Sequence, residues 1–181
     1  MIFFIKSGMH YVCDAACGFG AYTLALASNG LKVKGFDISQ EAVEIAKSGL
    51  MKYGYDLDLK VADICNTGYN TGEFDGVFAH SVIDHLTYSD AKIALQELCR
   101  IVRPDGLILL SFDTPEDFDY EIEHSILEDG SILYSDNTNR AGMIFRPYDA
   151  KMIHEIVKGK EIVFESLNTK NKQIVILKNK L

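Results

Sequence analysis

With 181 residues, 48% hydrophobic and 24% charged, the chain has the make-up of one globular domain with a sizeable core. Its 26 acidic against 18 basic residues give a net charge of -8, which argues against a broad nucleic-acid surface and so against nucleic acid as a partner. The apolar start MIFFI meets Lys6 at once, too short to span a bilayer and lacking the basic head of a secretion signal, so no membrane partner is expected.

Four cysteines (Cys13, Cys17, Cys65, Cys99) without secretory features suggest reduced thiols and a cytoplasmic location. No repeat, low-complexity tract or linker divides the chain, and residues 1–181 read as a single domain. HYVCD (10–14) is a short buried strand running into a glycine-containing turn, and the helix YTLALASNG after it stops at Asn29-Gly30. KVKGFD (32–37) is a second strand. Ser39 is placed to cap the helix QEAVEIAKSGLMKYG, where Ala42, Val43, Ile45, Ala46, Leu50 and Met51 recur at helical spacing. LDLKVAD (57–63) and FDGVFAH (74–80) are the third and fourth strands. The helix SDAKIALQELCRIV (89–102) takes Ser89 as its cap and is ended by Pro104-Asp105-Gly106. GLILLSF (106–112) is a fifth strand, apolar nearly throughout, as suits one covered on both faces.

After Asp113 the pattern changes. EIEHSILEDGSILYSD reads as a hairpin turning at Asp129-Gly130, and MIFRPYD leads into the short helix AKMIHEIVKG. The strands EIVFESL and KQIVILK, joined by the polar NTKN, close the chain. Five β–α units and a terminal antiparallel pair describe an α/β fold, a doubly wound and mostly parallel sheet with a mixed edge. Crossover handedness makes the ends of strands one to four a common ligand crevice.

The first turn poses the main chemical question. Cys13 and Cys17 have C-x3-C spacing, but Gly20 stands where a cluster motif needs its third cysteine, so no metal is expected. Within a buried strand Cys13 reads as a small hydrophobe. Gly18 and Gly20 instead describe a turn whose backbone a ligand can approach. A dinucleotide pattern G-x-G-x-x-G is matched only loosely, as Ala16-Gly18-Ala21. Asp14, at the end of the first strand, would also set negative charge beside a pyrophosphate. The same acid suits a cationic ligand, such as a sulfonium or an amine.

VCDAACGFG resembles the first motif of class I S-adenosylmethionine-dependent methyltransferases, an acid followed by x-G-x-G-x-G, with Ala16 in place of the first glycine. GFDIS, VADI, FDGVFAHSVIDHL and LCRIVRPDGLILLSF follow in that family's order, from about Phe4 to the C-terminus. The resemblance is to the small-molecule type. It implies a Rossmann-like sheet of seven strands with an antiparallel C-terminal strand, and S-adenosylmethionine as cofactor. It also implies cofactor-binding roles for Asp14, Ala16, Gly18, Gly20, Asp37, Ile38, Asp63, Ile64 and His80. One carboxylate at Asp37 can accept from both ribose hydroxyls, and Asp63 or its backbone neighbour from the adenine amino group. Ile38 and Ile64 are placed to sandwich the ring. The bland reading of both acids is a helix cap or a solvated turn. Methyl transfer displaces at a carbon the sulfonium already activates, so the protein chiefly holds donor and acceptor in line and excludes water.

His80, Asp84 and His85, just past the fourth strand, are the candidates for a general base, with capping or packing as the alternative. Tyr88-x-x-x-Lys92 has the spacing of a short-chain dehydrogenase pair, but it follows the fourth strand rather than the fifth. HSVI replaces the N/D-P-P-Y/F motif of base amino-methylation, which again disfavours nucleic acid. The expected function is methyl transfer to a small-molecule acceptor. Two alternatives are a non-catalytic nucleoside-binding domain of the same fold and a nicotinamide-dependent oxidoreductase. The first is motivated by the short start, since nine residues precede His10 where the family usually places one or two helices. The expectation is a short or missing N-terminal lid, an open pocket, and exposed apolar surface at Ile2, Phe3, Phe4 and Ile5. That surface would pack on the sheet's edge or form a homodimer contact. The segment after strand four and residues 114–146 are expected to set acceptor specificity.

Overall fold

The computed structural model describes residues 2–167 and 172–180. Its first part alternates through α1 (Ile2–Lys6), β1 (Tyr11–Ala15), α2 (Ala21–Ser28), β2 (Lys32–Asp37), α3 (Gln40–Lys52), β3 (Asp58–Val61) and β4 (Phe74–His80). A single 3-10 turn (Ile83–His85) leads into α4 (Tyr88–Ile101) and β5 (Val102–Asp113). Next come α5 (Asp117–Glu121) and three short strands, β6 (His124–Ile126), β7 (Ile132–Tyr134) and β8 (Ile144–Phe145). The last elements are α6 (Ala150–Ile156), β9 (Glu161–Ser166) and β10 (Lys172–Lys178). The loop NTKN and Met1 lie outside the described residues.

Seven strands stand in the order β3-β2-β1-β4-β5-β10-β9, and β10 alone runs against its neighbours. Strand order turns back between β1 and β4, so the carboxyl ends of β1, β2 and β4 open one crevice. Alternation along the strands builds two apolar layers. Val12, Phe78, Leu109 and Ile176 face one side with Phe4 of α1 and Leu26 of α2. Cys13, Val77, Ile108, Leu110 and Val175 face the other, under Ala94 and Leu98 of α4 and Ile153 of α6. α3 adds a smaller cluster, in which Val43, Ala46 and Leu50 meet Leu59 and Cys17.

Local signals set most helix ends. Ser39 accepts from the Ala42 N–H at 3.2 Å and caps α3 as its position suggests. α4 departs from expectation. Thr87, not Ser89, has the extended backbone of a cap and accepts from the Asp90 N–H at 3.2 Å. Pro104-Asp105-Gly106 also does not precede β5 but lies inside it, at a bulge opposite Phe74–Gly76.

The apolar start is corrected as well. Phe4 is fully buried, edge-on to Phe78 with ring centroids 6.3 Å apart, while Ile2 and Ile5 stay exposed. Phe3 tilts against Phe164 of β9 at 5.9 Å. The region after β5 is a three-stranded sheet, β6-β7-β8, rather than a lone hairpin. It has its own core of Ile132, Tyr134 and Phe145.

Candidate active site

The turn after β1 contains a strained residue. Ala16 has φ of 54°, a left-handed conformation that costs an L residue with a Cβ about 1–2 kcal/mol. Gly20 takes φ of 84°, and a Cβ there would stand 3.1 Å from the Ala46 Cβ. Its lack of a side chain therefore serves the packing of α2 on α3. The Gly18 N–H donates to Asp37 Oδ2 at 2.8 Å, and the Ser39 N–H to Asp37 Oδ1 at 2.9 Å. One carboxylate thus ties the turn after β1 to the turn after β2. Each of its oxygens keeps a further lone pair, enough to accept two neighbouring hydroxyls.

Beside this junction is an apolar slot of about 160 Å³. Ala16, Phe36, Ile38, Ala62, Asp63 and Ile64 form one part of its wall, and Val82, His85 and Leu86 the rest. Its size is below the roughly 300–1,000 Å³ of whole ligand sites, which marks it as a subsite for one ring system. Ile38 is 73% exposed, an apolar side chain held at the rim, whereas Ile64 is buried. Asp63 is exposed, and its Oδ1 accepts from the Cys65 N–H at 2.8 Å. The wall fits a flat heteroaromatic ring, and Asp37 beside it fits a sugar diol.

The slot brings together Ala16, Ile38, Asp63 and Ile64 of the sequence candidates, with Asp37 and Gly18 at the adjoining junction. Asp14 lies apart from the slot wall. It is 2% exposed, and its Oδ2 accepts the Thr23 hydroxyl at 2.6 Å. Burial pushes its carboxyl up to about 7; the Thr23 hydrogen bond opposes this and the Asp37 charge adds to it. His80 is half-buried between rings, 4.2 Å from the Tyr22 centroid, and hydrogen-bonds the Tyr22 hydroxyl at 2.9 Å and Ser81 Oγ at 3.2 Å. Burial and then the Lys172 ammonium push its pKa down, with Asp113 opposing, so the ring is neutral near neutral pH.

A second cavity of about 530 Å³ opens past the ends of β4 and β5. Asp113 and Lys172 line it from the large sheet, and Glu116, Phe118 and Asp119 from α5 and the loop before it. Arg140, Met143 and Phe145 close it from the small sheet. His85 lines both cavities and so stands between them. The small sheet is anchored here. The His85 Nδ1–H donates to the Ile144 carbonyl at 2.9 Å, and the Arg146 N–H to the Asp84 carbonyl at 2.7 Å. Arg140 spans Asp119 and the Tyr134 hydroxyl at 2.7 and 2.8 Å and lies over the Phe118 ring. Sequence reasoning located this wall as the segment after strand four and the region 114–146; it missed Asp113 at the end of β5 and Lys172, which arrives from β10.

All four cysteines are free, and burial pushes the Cys17 thiol up to about 12, away from nucleophilic use. Tyr88 and Lys92 sit one turn apart on α4, the ammonium 4.7 Å from the ring centroid, and line neither cavity.

A doubly wound sheet with a left-handed turn after β1, an acid bridging two turns and an apolar slot beside it defines a Rossmann-like domain. Residues 13–110 match the family described as "Methyltransferase domain", and the chain belongs to that family. A curated relative is the magnesium-protoporphyrin O-methyltransferase of Synechocystis sp., 31% identical over 101 residues. That alignment takes in 56% of this chain and 43% of the relative, so the chain spans less than half the length of the curated relatives it matches. Among solved structures, the PH0226 protein of Pyrococcus horikoshii OT3 superposes with a TM-score of 0.82 at 19% identity, covering 99% of this chain and 86% of that one. The 1,6-didemethyltoxoflavin-N1-methyltransferase of Burkholderia thailandensis, solved with S-adenosylhomocysteine, gives 0.75 at 15% identity, covering 99% and 76%. Both likenesses establish the fold. No helix among the described residues is long and apolar enough to cross a membrane.

Proposed function

We propose that this chain is an S-adenosylmethionine-dependent methyltransferase whose acceptor is a small molecule held in the larger cavity. The observation that carries the reading is Asp37, oriented by two backbone N–H groups beside an apolar ring slot at the switch point of the sheet. In this reading Asp37 takes the ribose hydroxyls, Ile38 and Ile64 cover the adenine, and Asp63 meets its amino group. Ala16, Gly18 and Gly20 shape the turn for the amino-acid end of the cofactor, with Asp14 acting from beneath through the strand end. The cofactor brings an activated methyl group; the protein orients it and shields it from water.

The larger cavity falls within the usual size of small-molecule sites. The named relatives methylate oxygen in one case and nitrogen in another, so their names leave the acceptor atom to be read from this cavity. Of the three candidate bases only His85 lines it; Asp84 is buried and His80 is held by Tyr22 and Ser81. The net charge of -8 supports an acceptor other than nucleic acid. Free cysteines support a reducing, cytoplasmic setting. Exposed Ile2, Ile5, Val163 and Phe164 support a homodimer contact at that edge.

Thermal shift and calorimetry with S-adenosylmethionine, S-adenosylhomocysteine and NADH test the reading. Stabilisation by either methyl-donor ligand is expected by mass action. Stabilisation by NADH alone would overturn it. Tight S-adenosylhomocysteine binding with no labelled methyl leaving the donor across an acceptor panel would favour the binding-only domain.

A further inference from the structure

We propose that Asp84, His85 and Asp113 form a divalent-cation site at the larger cavity, and that the ion seats an oxygen-bearing acceptor there. The second clause rests on the reading of that cavity as the acceptor site. One ligand atom from each of the three residues lies within 4.8 Å of the other two, a spacing one ion can span. His85 and Asp113 line the cavity, and Asp84 has no exposed surface.

The Asp84 carboxylate carries the argument. Its Oδ2 accepts the Asp113 N–H at 2.6 Å, but its Oδ1 is buried and meets no hydrogen-bond donor among the described residues. A buried carboxylate oxygen without a partner is costly, and a bound cation supplies what is missing. His85 is prepared in the same sense. Its Nδ1–H is committed to the Ile144 carbonyl, so the Nε2 lone pair is the free ligand position. A backbone carbonyl on the far nitrogen is how metal-binding histidines are oriented. The frame is rigid, because the Arg146 N–H holds the Asp84 carbonyl and the Asp113 N–H holds the Asp84 side chain. Cysteine spacing could not reveal this set, since its ligands come from the 3-10 turn after β4 and from the end of β5.

Lys172 already answers part of this negative charge. Its ammonium bridges Asp113 Oδ1 and the Ser81 hydroxyl. A divalent ion would share Asp113 with that ammonium, so the two cations compete. Two carboxylates favour a hard ion and one imidazole a first-row metal; Mn2+ meets both demands. An ion so held leaves coordination positions facing the cavity for water or for an acceptor hydroxyl or carboxylate.

The test is a Mn2+ titration of the chelator-treated chain, read by the electron paramagnetic resonance of the free ion. Saturable uptake of about one equivalent is expected. Asp113→Asn should weaken uptake by about tenfold or more, and His85→Gln likewise. Lys172→Met should tighten uptake several-fold, a change of sign that loss of folding cannot imitate. Melting curves confirm that each variant is folded. No saturable uptake by the wild type or by Lys172→Met would overturn the site, as would uptake that Asp113→Asn and His85→Gln both leave unchanged. S-adenosylhomocysteine calorimetry runs beside it. Intact cofactor binding without Mn2+ uptake removes the ion and leaves the methyltransferase reading. Mn2+ uptake without cofactor binding does the reverse.

Discussion

The Gly18 N–H and the Asp37 carboxylate, 2.8 Å apart, join the first two β–α turns into one edge, the one proposed above to face the cofactor. Asp37→Ala should therefore act twice, removing the acceptor of the ribose hydroxyls and releasing the turn. A charge-assisted hydrogen-bond pair is worth about 1–3 kcal/mol, so S-adenosylhomocysteine should bind about 5- to 150-fold more weakly by calorimetry. Asp37→Asn keeps an acceptor for the Ser39 N–H but cannot serve both N–H groups through carboxylate oxygens. It should fall between wild type and alanine. Unchanged affinity in Asp37→Ala would take Asp37 out of the site.

Ala16 holds φ of 54° with a Cβ attached, so its replacement by glycine tests stored strain directly. Relief of about 1–2 kcal/mol is set against about 0.4–1 kcal/mol of extra unfolded-chain entropy. Ala16→Gly should raise stability by up to roughly 1.6 kcal/mol in urea unfolding, the largest difference of those two effects. A loss of stability would show that the Ala16 methyl group contributes more by lining the slot than its backbone costs.

The β–α alternation was legible because β1, β4 and β5 are largely apolar, turn signals punctuate the chain, and α3 and α4 carry a helical period. The neighbourhood of Asp37 and Asp63, proposed to hold the cofactor, was legible for a related reason: Asp37 ends β2 and Asp63 lies just past β3, so position in the chain nearly fixes position in space. Thr87 and Ser89 were not separable, since both carry a hydroxyl and only the extended backbone of Thr87 decides between them. Pro104-Asp105-Gly106 stays within β5 through contacts from far along the chain. The Asn179 side chain donates to the Cys99 and Val102 carbonyls, and the Asp105 N–H donates to the Asn179 carbonyl. The larger cavity was legible only as two stretches of chain, and its closure by Asp113 and Lys172 escaped for the same cause. Its walls come from the 3-10 turn after β4, the end of β5, α5, the small sheet with its loop, and β10, and no local spacing records their meeting.

Asp14 gives the chain a pH signature. Its folded-state pKa of about 7 lies above the usual 3.8, so the folded chain holds a proton that the unfolded chain has released. The associated stability is full below about pH 4 and is lost as pH rises through 7, with a size on the order of 4 kcal/mol. Carboxyls pushed down, such as Glu97 beside Arg100, act oppositely and below about pH 4.5. Asp14→Asn keeps an acceptor for Thr23 and removes the titration. Wild-type stability relative to this variant should fall between pH 4.5 and 7 in urea unfolding. A flat difference would show that Asp14 is ionised throughout.

Phe4 and Ile2 lie on one short helix with opposite fates, 0% and 69% exposed. The Phe4 ring fills the space above Gly76 and meets Phe78 edge-on. Phe4→Ala leaves a cavity on the sheet and should cost about 3–5 kcal/mol, enough to be read in any denaturant series. Ile2→Ser removes only exposed surface and should stay within about 0.5 kcal/mol. Gly76 makes the contact specific. A Cβ there would stand 2.9 Å from the Leu107 carbonyl oxygen and 3.7 Å from the Phe4 ring, so Gly76→Ala should destabilise the docked helix and the β4–β5 pairing together. If Phe4→Ala costs less than about 1 kcal/mol, burial of α1 is not what holds this end of the sheet, since a fully buried aromatic loses more than that on truncation.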